Sequence, residues 1–98
     1  MFVVITHHVC KPGQVETSRE RIDKNSGAMT SEPGFLYRYR IETANAPDTV
    51  STLTVWNAEA DYQAYRAKRN YGPPSSSPYE RIDTQSYQVQ AEHLAASA

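Results

Sequence analysis

GFLYRYRIETANAPDTVSTLTVWNAEADY, residues 34–62, is the stretch that decides the fold. Its first third alternates with a period of two, placing Phe35, Tyr37, Tyr39 and Ile41 on one face and Leu36, Arg38 and Arg40 on the other, as a strand does. Turn residues follow at Thr43 to Asp48, and Thr49 to Trp56 is a second β-branched run, so the two strands form an antiparallel hairpin. Asn57 is placed to cap a helix from Ala58 to about Arg69. Glu59 and Asp61 in its first turn and Arg66, Lys68 and Arg69 in its last suit the helix dipole. On this helix Ala58, Tyr62, Tyr65 and Arg69 share a face, which turns both tyrosines inward.

Working outward, Phe2 to Val9 is an apolar, β-branched run that ends at the breaker Lys11-Pro12-Gly13 and reads as the first strand. Val3, Ile5, His7 and Val9 lie on one face, and Phe2, Val4, Thr6, His8 and Cys10 on the other, so both faces need cover. Gln14 to about Ser31 reads as a helix, with Thr17 and Glu20 at capping-box spacing and Pro33-Gly34 as the stop. Its apolar line is thin: Val15, Ile22 and Met29 recur every seven residues among Ser18, Arg19, Asn25 and Ser26. Such a face belongs either to a loosely packed surface helix with Arg19 and Arg21 stems lying over apolar atoms, or to a helix whose polar side overlooks a cavity. The segment 71–79, YGPPSSSPY, cannot be helix and serves as a linker or a lid. A last strand runs from about Glu80 to Val89, and Leu94 to Ala98 forms a fraying tail.

The order β-α-β-β-α-β is that of a ferredoxin-like, split βαβ α+β fold with an antiparallel sheet and both helices on one face. We expect one domain over 1–98, with a body at about 2–90, a loop at 70–79 and a flexible tail at 91–98. A chain this short buries only roughly two-thirds of its unfolded surface, and 39% hydrophobic residues with a mean hydropathy of -0.68 give it a thin core. The simplest cover for the second sheet face is therefore the same face of a second copy, as a homodimer.

Ten Lys and Arg against eleven Asp and Glu give a net charge of -1, which leaves no overall field for nucleic acid or an anionic membrane. The longest apolar run, Phe2 to Ile5, is far too short to span a bilayer, and no basic residue precedes it as in an export signal. One cysteine, Cys10, offers neither an internal disulfide nor a metal-ligand spacing, so the expected compartment is the cytoplasm. Four glycines with no G-x-G argue against a nucleotide cofactor.

Three segments carry a resemblance: Lys-Pro-Gly-Gln at 11–14, Glu-Pro-Gly-Phe-Leu-Tyr at 32–37, and Leu-Thr-Val-Trp-Asn-Ala-Glu-Ala-Asp-Tyr at 53–62. In this order and at these distances the chain, over about residues 2–69, resembles the antibiotic biosynthesis monooxygenases, a family of dimeric α+β barrels. The resemblance implies a pocket between helices and sheet. It also implies one of three activities: oxidation of aromatic polyketides with O2 and no flavin, metal or haem; quinol oxidation; or haem binding and degradation. Trp56 stands where the family has its tryptophan, and Tyr62 where some polyketide enzymes place a hydrogen-bonding aromatic. Thr52 replaces an asparagine of such enzymes, Tyr65 stands where quinol-type members have histidine and haem-degrading ones tryptophan, and Thr6 falls at an asparagine of the haem branch. The haem-ligating histidine of that branch has no counterpart, since residues 70–80 contain none.

Oxidising an electron-rich ring with O2 starts by removing a proton, and histidine is the side chain that needs least tuning for that task. His7 and His8 are the candidates. Neighbours on a strand face opposite ways, so they cannot share a metal, and the Gly13 anchor of the resemblance favours His8 on the pocket side. A histidine satisfied at a dimer interface or strand edge is the alternative for either. Trp56, Tyr62 and Tyr65 would wall a flat ring, although inward aromatics are equally core. Seven tyrosines against two phenylalanines favour a polar cavity, because buried hydroxyls need partners. Arg38 and Arg40 read as carboxylate partners or strand-edge cations, with binding of an acidic substrate as the alternative.

The sequence thus predicts a cofactor-independent monooxygenase. His8, Trp56 and Tyr62 are its catalytic candidates, Thr6, Thr52, Tyr65 and Ile22 its binding candidates, and it needs no metal. The alternatives are a non-catalytic small-molecule binding protein of the same fold and a haem-binding relative.

Overall fold

The structure is a computed structural model that describes residues 1–69 and 76–96. It contains β1 (Phe2–Cys10), α1 (Val15–Met29), β2 (Phe35–Glu42), β3 (Thr49–Trp56), α2 (Glu59–Lys68) and β4 (Tyr79–Gln88). The four strands form one sheet in the order β2-β3-β1-β4, and every neighbouring pair is antiparallel. This is the expected ferredoxin-like fold, and β4 pairs with β1 of its own chain.

The β1–β3 pair is regular from Phe2 opposite Trp56 to Val9 opposite Thr49. Alternation then sends Phe2, Val4, Thr6, His8 and Cys10 to the same face as Val50, Thr52, Thr54 and Trp56. Both helices pack on that face, in two apolar clusters. Phe2, Val4 and Trp56 meet Met29 of α1, with Phe35, Tyr62 and Tyr65 around them. At the other end Cys10 and Val50 meet Ile22, with Val15 and Tyr79 alongside. Helix α1 therefore runs back along β1, its apolar heptad line touching both clusters. The opposite sheet face carries Val3, Ile5, His7 and Val9, all only half-buried.

Two expected caps are absent. Helix α1 starts at Val15 behind Gln14, which makes no side-chain cap bond, so Thr17 and Glu20 lie inside the helix and form no capping box. Ala58, not Asn57, occupies the cap position of α2, because the Asn57 N–H is drawn away to donate to the Gly34 carbonyl at 2.7 Å. Gly34 itself sits at φ +79, and a Cβ there would collide with the Asp61 carboxyl group. Only glycine allows the entry to β2 to approach the first turn of α2 this closely. The expected loop at 71–79 lies outside the described residues as far as position 75, and so does the lid reading attached to it. At its end the Tyr79 N–H donates to Ser77 Oγ at 3.2 Å.

Ile22 is almost fully buried, whereas Leu94 is 80% exposed. Ile22→Ala should lower the unfolding free energy by about 2–5 kcal/mol, and Leu94→Ala should change it by less than about 0.5 kcal/mol. Urea unfolding of the two variants checks the assignment of the core.

Candidate functional site

Between the two apolar clusters the facing residues turn polar, and the space opens into a cavity of about 640 Å³. Its floor is the alternate set Val4, Thr6 and His8 of β1 with Thr52, Thr54 and Trp56 of β3. Ile22, Asn25 and Met29 of α1 and Tyr62 and Tyr65 of α2 form its walls. All seven site residues named from sequence, Thr6, His8, Ile22, Thr52, Trp56, Tyr62 and Tyr65, lie in this one lining. The thin apolar line of α1 has a matching cause: Asn25 overlooks the cavity, Ser26 bonds back to the Ile22 carbonyl, and Arg19 pairs with Glu16 in solvent.

The ring of His8 is fixed by a bond of 2.9 Å between Nδ1 and the Val50 carbonyl. A carbonyl only accepts, so Nδ1 carries the proton and Nε2 is left as a proton acceptor. Burial pushes the His8 imidazole below its ordinary value of 6.5. The Val50 bond opposes that shift, while the charges of Arg38 and His7 add to it. The Tyr79 ring lies tilted against the His8 ring, centroids 4.9 Å apart, and its hydroxyl accepts a hydrogen bond from Ser18 Oγ at 3.0 Å. His7 points to the other face of the sheet, where its Nδ1 lies 2.7 Å from Ser51 Oγ, which in turn bonds Thr43 Oγ1.

Trp56 is 1% exposed and meets Tyr65 at 5.3 Å and Tyr62 at 6.1 Å between ring centroids, with Phe35 edge-on. Its indole Nε1 is buried with no hydrogen-bond partner, which costs free energy unless something in the cavity accepts from it.

Two lining residues depart from the sequence reading. Arg40 does pair, with Asp23 of α1 at 2.9 Å. Arg38 instead reaches into the cavity, with Nε buried and partnerless and one terminal nitrogen against the Met29 sulfur. Burial lowers its pKa and Arg69 lowers it further, against the Tyr65 and Tyr79 hydroxyls, yet a guanidinium stays charged. Tyr79 enters the site through a register shift. β4 pairs Val9 with Arg81 but Cys10 with Tyr79, so Glu80 is skipped and the tyrosine takes the cavity-facing place, as a bulge allows. Among the described residues no group of three or more His, Cys, Asp or Glu is placed to hold a metal ion, and no helix is long and apolar enough to cross a membrane.

The sequence model of the antibiotic biosynthesis monooxygenase family matches residues 1–72. No curated protein matches the chain. Among solved structures, the haem-degrader MhuD of Mycobacterium tuberculosis, with two haems bound in its active site, superposes with a TM-score of 0.76 at 15% identity, over 96% of this chain and 100% of that one. A Nitrosomonas europaea protein provisionally named an antibiotic biosynthesis monooxygenase superposes at 0.77 with 18% identity, over 93% of this chain and 100% of that one. SnoaB, a cofactor-independent oxygenase of Streptomyces nogalater, in the form of a point mutant, superposes at 0.74 with 9% identity, over 93% of this chain and 94% of that one. At these identities the likeness is one of fold.

A histidine held neutral by burial ties stability to pH with a definite sign. Its folded pKa is depressed, so the unfolded chain takes up the proton first on acidification. The stabilisation is complete above about pH 6.5 and is lost as pH falls through the lower folded value. Urea unfolding at steps from pH 7.5 to 5 should show a smaller loss of stability in His8→Gln than in the parent.

Proposed function

We propose that this chain, which belongs to the antibiotic biosynthesis monooxygenase family, is a cofactor-independent monooxygenase that oxidises a planar phenolic ring of polyketide or quinol type with O2. The observation that carries this reading is His8. It is a neutral imidazole with Nδ1 committed to the Val50 carbonyl, its pKa lowered by burial, in the lining of an aromatic cavity. That is the form a general base needs at neutral pH.

A phenol, quinol or anthrone ring lies against Trp56, Tyr62 and Tyr65, with Thr6, Thr52 and Ile22 completing the binding surface. His8 Nε2 takes the ring's acidic proton, and the resulting anion yields an electron to O2 far more readily than the neutral ring does. One oxygen atom enters the substrate and the other leaves as water. Both electrons and both hydrogens of that water come from the substrate, so the reaction balances without a further reductant. Trp56, six residues along β3 from the Val50 end where His8 acts, and Tyr62 beside it grip the far end of the ring, and the protonated His8 stays paired with the oxyanion it has made.

A second copy covers the open sheet face in this reading. Tyr37, Tyr39 and Tyr87 are 44%, 57% and 49% exposed, and pairing with Val55, Leu53 and Val3 respectively puts them on the face away from the helices. Two such faces pack as the two sheets of a barrel. The protein works in the cytoplasm, where its buried free thiol, Cys10, stays reduced.

Oxygen consumption by metal-stripped protein against a panel of anthrones, naphthols and hydroquinones tests the activity. We expect uptake without added cofactor, a fall of about 10²–10⁴-fold in His8→Ala with the fold retained by circular dichroism, and an acid limb of kcat/KM below pH 6.5. No uptake, with ring compounds still raising the melting temperature, would instead make this a binding protein. A haem-binding relative of the fold would show a Soret band on titration with haem. Tyr39→Lys should convert a dimer to a folded monomer in sedimentation, and a variant as dimeric as the parent would sink the proposed interface.

A further inference from the structure

We propose that the cavity is built for an anionic substrate, a planar aromatic carrying a carboxylate, which is held by an arginine array centred on Arg38. The ring and its oxidation rest on the oxygenase reading above; the carboxylate rests on the arginines alone.

The chain as a whole carries a net charge of -1 and seven arginines, yet five of them, Arg21, Arg38, Arg66, Arg69 and Arg81, line this cavity. Among the described residues no aspartate or glutamate lines it. The five come from α1, β2, α2 with its C-terminal cap Arg69, and β4, so they converge in space and form no charge run in sequence. Outside the cavity, cations meet carboxylates in the ordinary way: Arg19 with Glu16, Arg40 with Asp23, Lys68 with Glu32. Arg81, at the rim, also has a counter-ion, Asp83 at 3.0 Å. The register shift in β4 strengthens the asymmetry, since regular pairing would set Glu80 opposite Cys10 on the cavity face, and the shift sets Tyr79 there.

Arg38, half-buried on the sheet floor, is the centre of this field. Its Nε is buried without a partner, and the Met29 sulfur beside its terminal nitrogen is a weak acceptor. An unpartnered buried N–H of this kind is costly unless an acceptor completes it, and a planar guanidinium fork matches a carboxylate in two parallel bonds. The Arg66 and Arg69 guanidiniums lie 5.7 Å from the centroids of Tyr62 and Tyr65, so the ring wall and the positive field are continuous.

Position along the floor gives the substrate its polarity. His8 stands opposite Val50 and Arg38 opposite Thr54, four residues or about 13 Å apart along β3, with side chains reaching into the space between. A ligand with an ionisable hydroxyl at one end and a carboxylate at the other spans that interval.

Calorimetric titration with 6-hydroxy-2-naphthoate and with 2-naphthol tests this without any need for turnover. We expect the acid to bind at least about tenfold more tightly at low salt, with the advantage shrinking as salt is added. Arg38→Met should erase the advantage and leave 2-naphthol binding in place, and Arg40→Met should keep both. Equal or weaker binding of the acid by the parent protein would overturn the proposal even if Arg38→Met does not fold, as would an undiminished preference in a folded Arg38→Met. Acid preference without oxygen uptake on any ring would refute the oxygenase reading alone. Uptake on 2-naphthol without acid preference would refute the anion site alone.

Discussion

The antiparallel register of β1 against β3 is the constraint from which the rest follows. Phe2 opposite Trp56 and His8 opposite Val50 are two readings of one ladder, and a slip of one residue would exchange the two sheet faces. His7 would then enter the cavity and His8 would leave it, while Val4 and Phe2 would lose their helix contacts. Side chains hold the register from both sides: His8 Nδ1 donates to the Val50 carbonyl on one face, and His7 lies against Ser51 Oγ on the other. Packing and chemistry are therefore specified by the same pairing.

The same ladder explains how so small a chain holds a cavity. Its apolar residues gather at the two ends of the β1–β3 pair, as Phe2, Val4 and Trp56 at one and Cys10 and Val50 at the other. The middle of the floor is Thr6 opposite Thr52. Helix α1 is carried by its two anchors, Met29 and Ile22, and spans the gap between them. A fully apolar stripe on α1 would close that gap and raise stability. The polar residues that make the helix a poor packing element in sequence keep the cavity open, a site feature bought with core.

Much of this was legible because alternation along a strand has only one interpretation once a face is known to be buried. The strands, the hairpin and the common face of Thr6 and His8 follow from it, and the two helices follow from end charges and helical spacing. What escaped has local causes. Arg38 and Arg40 share a strand face, and nothing in the sequence separates them. In the fold Asp23 of α1 lies within reach of Arg40, and Arg38 lies where α1 and α2 leave space. Tyr79 escaped because it reads as the end of the Pro-Ser loop, whereas it opens β4 and a register shift between Val9 and Cys10 turns it to the cavity face. Asn57 has the composition of a cap, but its backbone N–H is committed to Gly34, which draws the chain into a different approach to α2.

The electrostatics of the free site and of the occupied site then differ in a useful direction. In the free site burial and the Arg38 charge both favour a neutral His8, the form that the proposed base needs. An anion on Arg38 cancels that charge as seen from His8, removing one of the effects that resist protonation. In the proposed reaction, binding thus raises the proton affinity of the imidazole only when substrate is present, in the same complex in which the ring would give up its proton. On that proposal the imidazolium would have the new oxyanion as its partner, a buried ion pair made with both members already in contact. A base tuned this way is weak when the cavity is empty and stronger when it is filled, which a solvent-exposed histidine, screened from both Arg38 and the ligand, does not achieve.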